Sequence, residues 1–152
     1  MIDNGQKLPA FSLPNQDGAV RTNADYSGKW LVLYVYPKDD TPGCTIQGKS
    51  FTATKADYDA AGAVVVGLSA DDVASHKAFC DKFSFSIELL ADTDKSLLGA
   101  LGVNQSEYKG TMYWERSTFL VDPEGVVGKT FSKVDPNGHE KALLDEIAKL
   151  KA

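Results

Sequence analysis

The chain has 152 residues, a formal net charge of −5 and only two cysteines, which is the size of one ordinary domain (residues 1–152) able to bury a core without covalent fasteners. The acidic balance argues against a nucleic-acid phosphate backbone as partner, and no apolar stretch approaches the ~20 residues that span a bilayer, so no nucleic acid and no membrane are expected. Two cysteines do not make a secreted disulfide scaffold, and Met1-Ile2-Asp3-Asn4-Gly5-Gln6-Lys7 lacks the apolar core of a signal peptide, so the reading is a cytoplasmic protein acting on a small soluble substrate.

In chain order, Phe11-Ser12-Leu13 and Ala19-Val20-Arg21-Thr22 flank Asn15-Gln16-Asp17-Gly18, which reads as a hairpin or a surface loop. The apolar run Leu31 to Tyr36 predicts a buried strand, followed by a helix over about 43–60 that stops at Gly62. Ala63 to Leu68 predicts the next strand, and a helix over about 72–83 is capped by Ser69 or Asp71. That is a βαβ unit with parallel strands. A short strand near 88–90 and a helix across 95–101 follow. Arg116 to Asp122 and Val126 to Phe131 then pair across Pro123-Glu124-Gly125. The last helix opens on a capping box of Asn137 and Glu140, with Leu143, Ile147 and Leu150 on one face. A βαβ half joined to a ββα half predicts an α/β, thioredoxin-like fold, a central mixed β-sheet flanked by helices.

The chemistry concentrates after the first long strand, in Pro37-Lys38-Asp39-Asp40-Thr41-Pro42-Gly43-Cys44. Thr41 suits an N-cap and Pro42 the first helical position, so Cys44 falls in the first turn. There the unpaired N–H groups and the helix dipole favour a thiolate, which is a nucleophile. The alternative is a small cysteine chosen for core packing. A rival motif overlaps: Gly43-Cys44-Thr45-Ile46-Gln47-Gly48-Lys49-Ser50 satisfies the phosphate-loop pattern G-x-x-x-x-G-K-[ST]. Its context is wrong. A phosphate loop leaves its strand almost at the first glycine and wraps its ligand before the helix begins, whereas the cap at Thr41 and Pro42 starts the helix early and places Gly48, Lys49 and Ser50 inside it.

The spacing Pro37, Thr41, Cys44 resembles the peroxiredoxin pattern, and the string from Tyr36-Pro37-Lys38 to Thr41-Pro42-Gly43-Cys44-Thr45 is similar to the Q-type or bacterioferritin-comigratory-protein branch. The resemblance extends from Pro9-Ala10-Phe11-Ser12-Leu13-Pro14 to Phe119-Leu120-Val121-Asp122. It implies a thiol peroxidase without cofactor or metal, in which Cys44 attacks a hydroperoxide to give sulfenic acid. It further implies that Thr41 orients the peroxide, Pro37 shields the sulfur from bulk water, and Arg116 lies beside it. Gln47, one turn after Cys44, stands where many such proteins have glutamate. Cys80 shares a helical stripe with Val73, His76 and Phe83 and so reads from the spacing as a core residue. The resemblance instead assigns it the resolving role, through an intramolecular disulfide recycled by thioredoxin or a similar dithiol, in a chain that is commonly a monomer. A one-cysteine peroxidase with Cys80 structural is the alternative.

Other readings are thinner. His76, Cys80 and Cys44 make only three ligands for a metal, a dithiol exchanger would need Cys-x-x-Cys, and a non-enzymatic adaptor would need Cys44 inert. Met112, Tyr113 and Trp114 could wall the thiolate or simply pack.

Overall fold

The computed structural model describes all residues, 1–152. A central strand organises it: β3 (Trp30–Val35) pairs in parallel with β4 (Ala63–Ser69) and antiparallel with β8 (Ser117–Val121). With β5 (Glu88–Ala91) and β9 (Val127–Phe131) outside them, the mixed sheet has the order β5-β4-β3-β8-β9. The sequence predicts all five. A small antiparallel pair, β1 (Ser12–Pro14) and β2 (Val20–Thr22), precedes them, its turn set by Asn15 Oδ1 accepting from the N–H groups of Asp17 and Ala19.

The alternation along β3 divides the interior. Leu31, Leu33 and Val35 face one core together with Phe119, Val121 and α4 (Ser96–Leu101), while Val32, Tyr34 and Tyr36 face another. That second core is closed by α1 (Pro42–Ala53), α2 (Lys55–Ala60), α3 (Val73–Phe83) and α5 (His139–Lys151), and it contains both cysteines. Each fully buried Val or Leu contributes roughly 1.5–3 kcal/mol from burial alone.

Three local expectations are corrected, and one element is new. The helix expected over 43–60 is interrupted at Thr54, whose hydroxyl and N–H both donate to the Ser50 carbonyl, at 2.8 and 3.1 Å. The cap of α3 is Asp72, which accepts from Ser75 N–H at 2.8 Å, because Ser69 and Asp71 bond to each other. The capping box of α5 does not form: Gly138 takes the cap position and the Asn137 amide turns to Asp135. Finally, β6 (Gln105–Tyr108) and β7 (Thr111–Trp114) form an exposed hairpin that the sequence reading passed over. Its tight turn places Lys109 and Gly110 at positive φ, 51° and 80°.

Packing also explains the glycine of the phosphate-loop pattern. Gly48 lies inside α1 with the Phe85 ring directly on its Cα, leaving no room for even a methyl group. Phe85 in turn joins Phe79 and Phe83 in an aromatic cluster at the end of α3.

Burial holds His139 neutral, with its pKa lowered from 6.5 to about 4. Its Nε2 lies 2.9 Å from Thr118 Oγ1 and its ring meets Phe131 edge-on. The unfolded chain therefore takes up this proton near pH 6.5 while the fold resists until about 4, so the stabilisation is complete above 6.5 and lost as pH falls toward 4. Discounted for residual solvation, it amounts to about 2 kcal/mol. In urea unfolding, the stability gap between wild type and His139→Gln should shrink by about that amount from pH 7 to pH 4; a constant gap would show that His139 is not held neutral.

Candidate active site

The loop 37–41 carries the chain from β3 to α1. Thr45 N–H bonds the Thr41 carbonyl at 2.9 Å, so the helix starts at Pro42 and Cys44 is its third residue, 1% exposed. Thr41 sits at the N-cap with extended backbone, but its hydroxyl donates to the Lys38 carbonyl at 2.8 Å instead of capping. The expected side-chain cap is thus not made. The N–H groups of Gly43 and Cys44 consequently have no acceptor within the protein, and two donors at the positive end of the dipole face whatever approaches the sulfur. Pro37 and Thr41 are both half-buried beside them. The same helix start rules out the phosphate-loop geometry, and Lys49 instead lies 5.0 Å over the Phe83 ring.

The antiparallel pairing of Val35 with Ser117 brings Arg116, just before β8, alongside this loop. Arg116 Nη1 lies 3.5 Å from Cys44 Sγ and donates to Gln47 Oε1 at 2.6 Å. No carboxylate comes within ion-pair distance of the guanidinium. Glutamine at position 47 therefore orients the arginine without neutralising it, leaving the full charge to the sulfur. Gly43 is a spatial requirement of the same contact, since a Cβ there would lie 2.6 Å from Arg116 Nη2.

Cys80 lies on the buried face of α3, in the same core as Cys44, and neither thiol is bonded. It also borders an open pocket of about 630 Å³ lined by Asp17, Lys77 and Asp81. Burial first, then the carboxylates of Asp39, Asp81 and Asp17, pushes its pKa up to about 12. In the closed fold this thiol is a poor nucleophile.

Met112 and Trp114 do not wall the sulfur: Met112 is exposed on β7 and Trp114 packs against the opposite core. The possible metal trio does not assemble either. His76 meets Asp39 and Asp71, not the cysteines, and these groups are already hydrogen-bonded to one another and to Tyr36, Ser75 and Ser69. Asp39 is the residue that sequence reading missed, because a carboxylate in a polar turn reads as surface. The available signal was His76 on an apolar stripe, which required a buried partner.

Against known proteins, residues 4–130 match the model of the AhpC/TSA family. The chain belongs to this family, as a peroxiredoxin of the Bcp/PrxQ type. Peroxiredoxin Bcp of Xanthomonas campestris pv. campestris is 43% identical, with 95% of this chain and 94% of that one covered. A putative peroxiredoxin bcp of Coxiella burnetii is 40% identical over 96% and 99%. Among solved structures, a cysteine-to-serine mutant of Xylella fastidiosa PrxQ superposes with a TM-score of 0.94 at 30% identity, covering 100% and 99% of the two chains. Xanthomonas campestris peroxiredoxin Q gives 0.86 at 39%, covering 91% and 90%. This peroxiredoxin accordingly has the thioredoxin-like fold expected from its element order, and none of its helices is long and apolar enough to cross a membrane.

Proposed function

We propose that Cys44 is the peroxidatic residue of a thiol peroxidase acting on hydrogen peroxide and organic hydroperoxides. The observation that carries this reading is the unneutralised Arg116 guanidinium 3.5 Å from Cys44 Sγ, at a helix end with two N–H groups unpaired. The thiolate attacks the terminal peroxide oxygen. The S–O bond forms as the O–O bond breaks, and the leaving oxygen takes a proton to depart as water or an alcohol. Charge building on that oxygen meets the Gly43 and Cys44 N–H groups and Arg116. Thr41 orients the peroxide and Pro37 limits water. The bacterioferritin comigratory protein of Xanthomonas campestris, 38% identical, has alkyl peroxide reduction activity, which supports organic substrates here.

Cys80 then attacks the sulfenic acid, forming the Cys44–Cys80 disulfide and releasing water. Thioredoxin or a similar dithiol returns both thiols and is itself oxidised. The reading is completed by a cytoplasmic monomer, in which Cys44, Cys80 and Arg116 of one chain carry the whole cycle. A folded-state pKa of about 12 keeps Cys80 protonated at neutral pH, so α3 must open to supply a thiolate of ordinary pKa, about 8.5. Opening becomes easier as pH rises from about 8.5 toward the folded value, because only the open state ionises there.

Intact-protein mass spectrometry after one equivalent of peroxide tests the reading. Wild type should lose two hydrogens, with Cys80 protected from alkylation, and Cys80→Ser should gain one oxygen at Cys44. The disulfide step should quicken about tenfold per pH unit between pH 6 and 8. The burial of Cys80 favours a second reading, a one-cysteine peroxidase, and oxidised wild type with Cys80 free to alkylation would establish it.

A further inference from the structure

The central sheet stops one residue short of Arg116. Ser117 is the first residue of β8 to pair with β3, opposite Val35, and Thr118 is the first to pair with β9, opposite Phe131. A long side chain on an unpaired strand end keeps much of its conformational freedom unless something outside the sheet takes it away. One backbone hydrogen bond does reach this position: the Val134 N–H donates to the Arg116 carbonyl at 2.9 Å.

Val134 belongs to the segment 132–138, between β9 and α5. Val134 and Pro136 are half-buried while Lys133, Asp135 and Asn137 are exposed, so the segment turns alternate residues inward as a strand does. Asp135 Oδ1 accepts from the N–H and from Nδ2 of Asn137, at 2.9 and 3.1 Å, which fixes the turn. Lys133 at φ +49° and Gly138 at φ +78° bend the chain on either side of it. Pro136 reaches the site itself. The point where a Gly43 Cβ would stand is 2.6 Å from Arg116 Nη2 and 3.7 Å from Pro136 Cγ, so the proline ring and the guanidinium share one flank of the first turn of α1. The far end of the segment is tied back to β8. His139 follows it directly, and its Nε2 lies 2.9 Å from Oγ1 of Thr118, a fully buried residue two places after Arg116.

We propose that this segment positions Arg116, with Pro136, Thr118 and His139 as positioning residues that act on peroxide reduction only through the arginine. Gln47 Oε1 holds the guanidinium from α1, and the segment holds the backbone and the other flank. Placement matters because the guanidinium must meet charge that develops on a departing oxygen, and a donor misplaced by about an ångström loses much of that stabilisation. The positioning rests on the roles proposed for Cys44 and Arg116.

Stopped-flow oxidation of Cys44 in a Cys80→Ser background tests it. Pro136→Gly and Thr118→Val should each slow the second-order rate about three- to tenfold, whereas Thr118→Ser, which keeps the hydroxyl for His139, should stay within about twofold of the parent. In an Arg116→Ala background, Pro136→Gly and Thr118→Val should change the rate by less than about twofold, because the group they position is gone. Asn23→Ala removes hydrogen bonds to the Phe11 N–H and the Pro9 carbonyl, lowers stability away from the site and should leave the rate unchanged. Pro136 lies on a half-buried turn, so Pro136→Gly carries the test should the buried Thr118→Val not fold. Rates within about twofold of the parent in the folded variants would overturn the positioning role. Equal slowing with and without the arginine, or the same slowing in Asn23→Ala, would also overturn it, since the effect would then be lost stability and not a misplaced guanidinium. Oxidation unaffected by Arg116→Ala itself would remove the role of Arg116, and the positioning with it.

Discussion

Cys44→Ser should abolish peroxide consumption, a loss of at least about three orders of magnitude, or ~4 kcal/mol of transition-state stabilisation. A serine hydroxyl is isosteric within a few tenths of an ångström but stays protonated at neutral pH, and nothing beside position 44 could serve as its base: the nearest charged group is the Arg116 guanidinium, which never accepts a proton. The loss should therefore be chemical, without a change in fold. Peroxide consumption with a coupled dithiol measures the activity, and circular dichroism checks the fold. Turnover persisting in a folded Cys44→Ser chain would sink the peroxidatic assignment. Saturable ATP or GTP binding lost in Lys49→Ala would instead revive the phosphate-loop reading.

Arg116→Ala should slow the oxidation of Cys44 by one to three orders of magnitude, about 1.4–4 kcal/mol. The guanidinium faces the sulfur at 3.5 Å with no carboxylate to offset its charge. Its removal thus costs both the attraction for the thiolate and the donor for the departing oxygen. Lysine should restore only part of the rate, because it keeps the charge but loses the rigid, planar guanidinium whose Nη1 meets both Gln47 Oε1 and the sulfur. Gly43→Ala should act on the same contact from the other side. Its methyl would press on Nη2, displacing the arginine by about an ångström and slowing oxidation about tenfold. Rates unchanged in Arg116→Ala would remove arginine from the mechanism, because the only other one, Arg21, is paired with Glu88 at 2.7 Å.

Much of this was legible in the sequence because strong periodicity and turn chemistry pointed the same way. The apolar runs of β3, β4 and β8 gave the sheet. Thr41 and Pro42 set the start of α1, and with it the place of Cys44. What escaped notice was either exposed or non-local. The β6–β7 hairpin has no buried face to impose a period of two, so only Lys109-Gly110 marked it. The helix is interrupted at the single residue Thr54, which composition does not distinguish from a tolerated threonine. The Asp39–His76 pair joins residues 37 apart in sequence, and no local pattern announces such a partner. Arg116 was legible only through family resemblance, because its approach to Cys44 depends on the register of β3 against β8.

The Phe85 ring seated on Gly48 has a mechanical consequence. It anchors the chain two residues beyond α3 to the helix that carries Cys44, while the upstream half of α3 is fastened through Asp39. The two fastenings differ in kind. Hydrogen bonds released at the polar end are replaced by water, whereas an aromatic ring pulled from its seat gains no such replacement. On the resolving role proposed for Cys80, opening should proceed from the polar end and pivot about the ring, with a freed segment no longer than the 11 residues of the helix. Closure after the proposed reduction would then be a short loop return about a fixed point instead of a new conformational search.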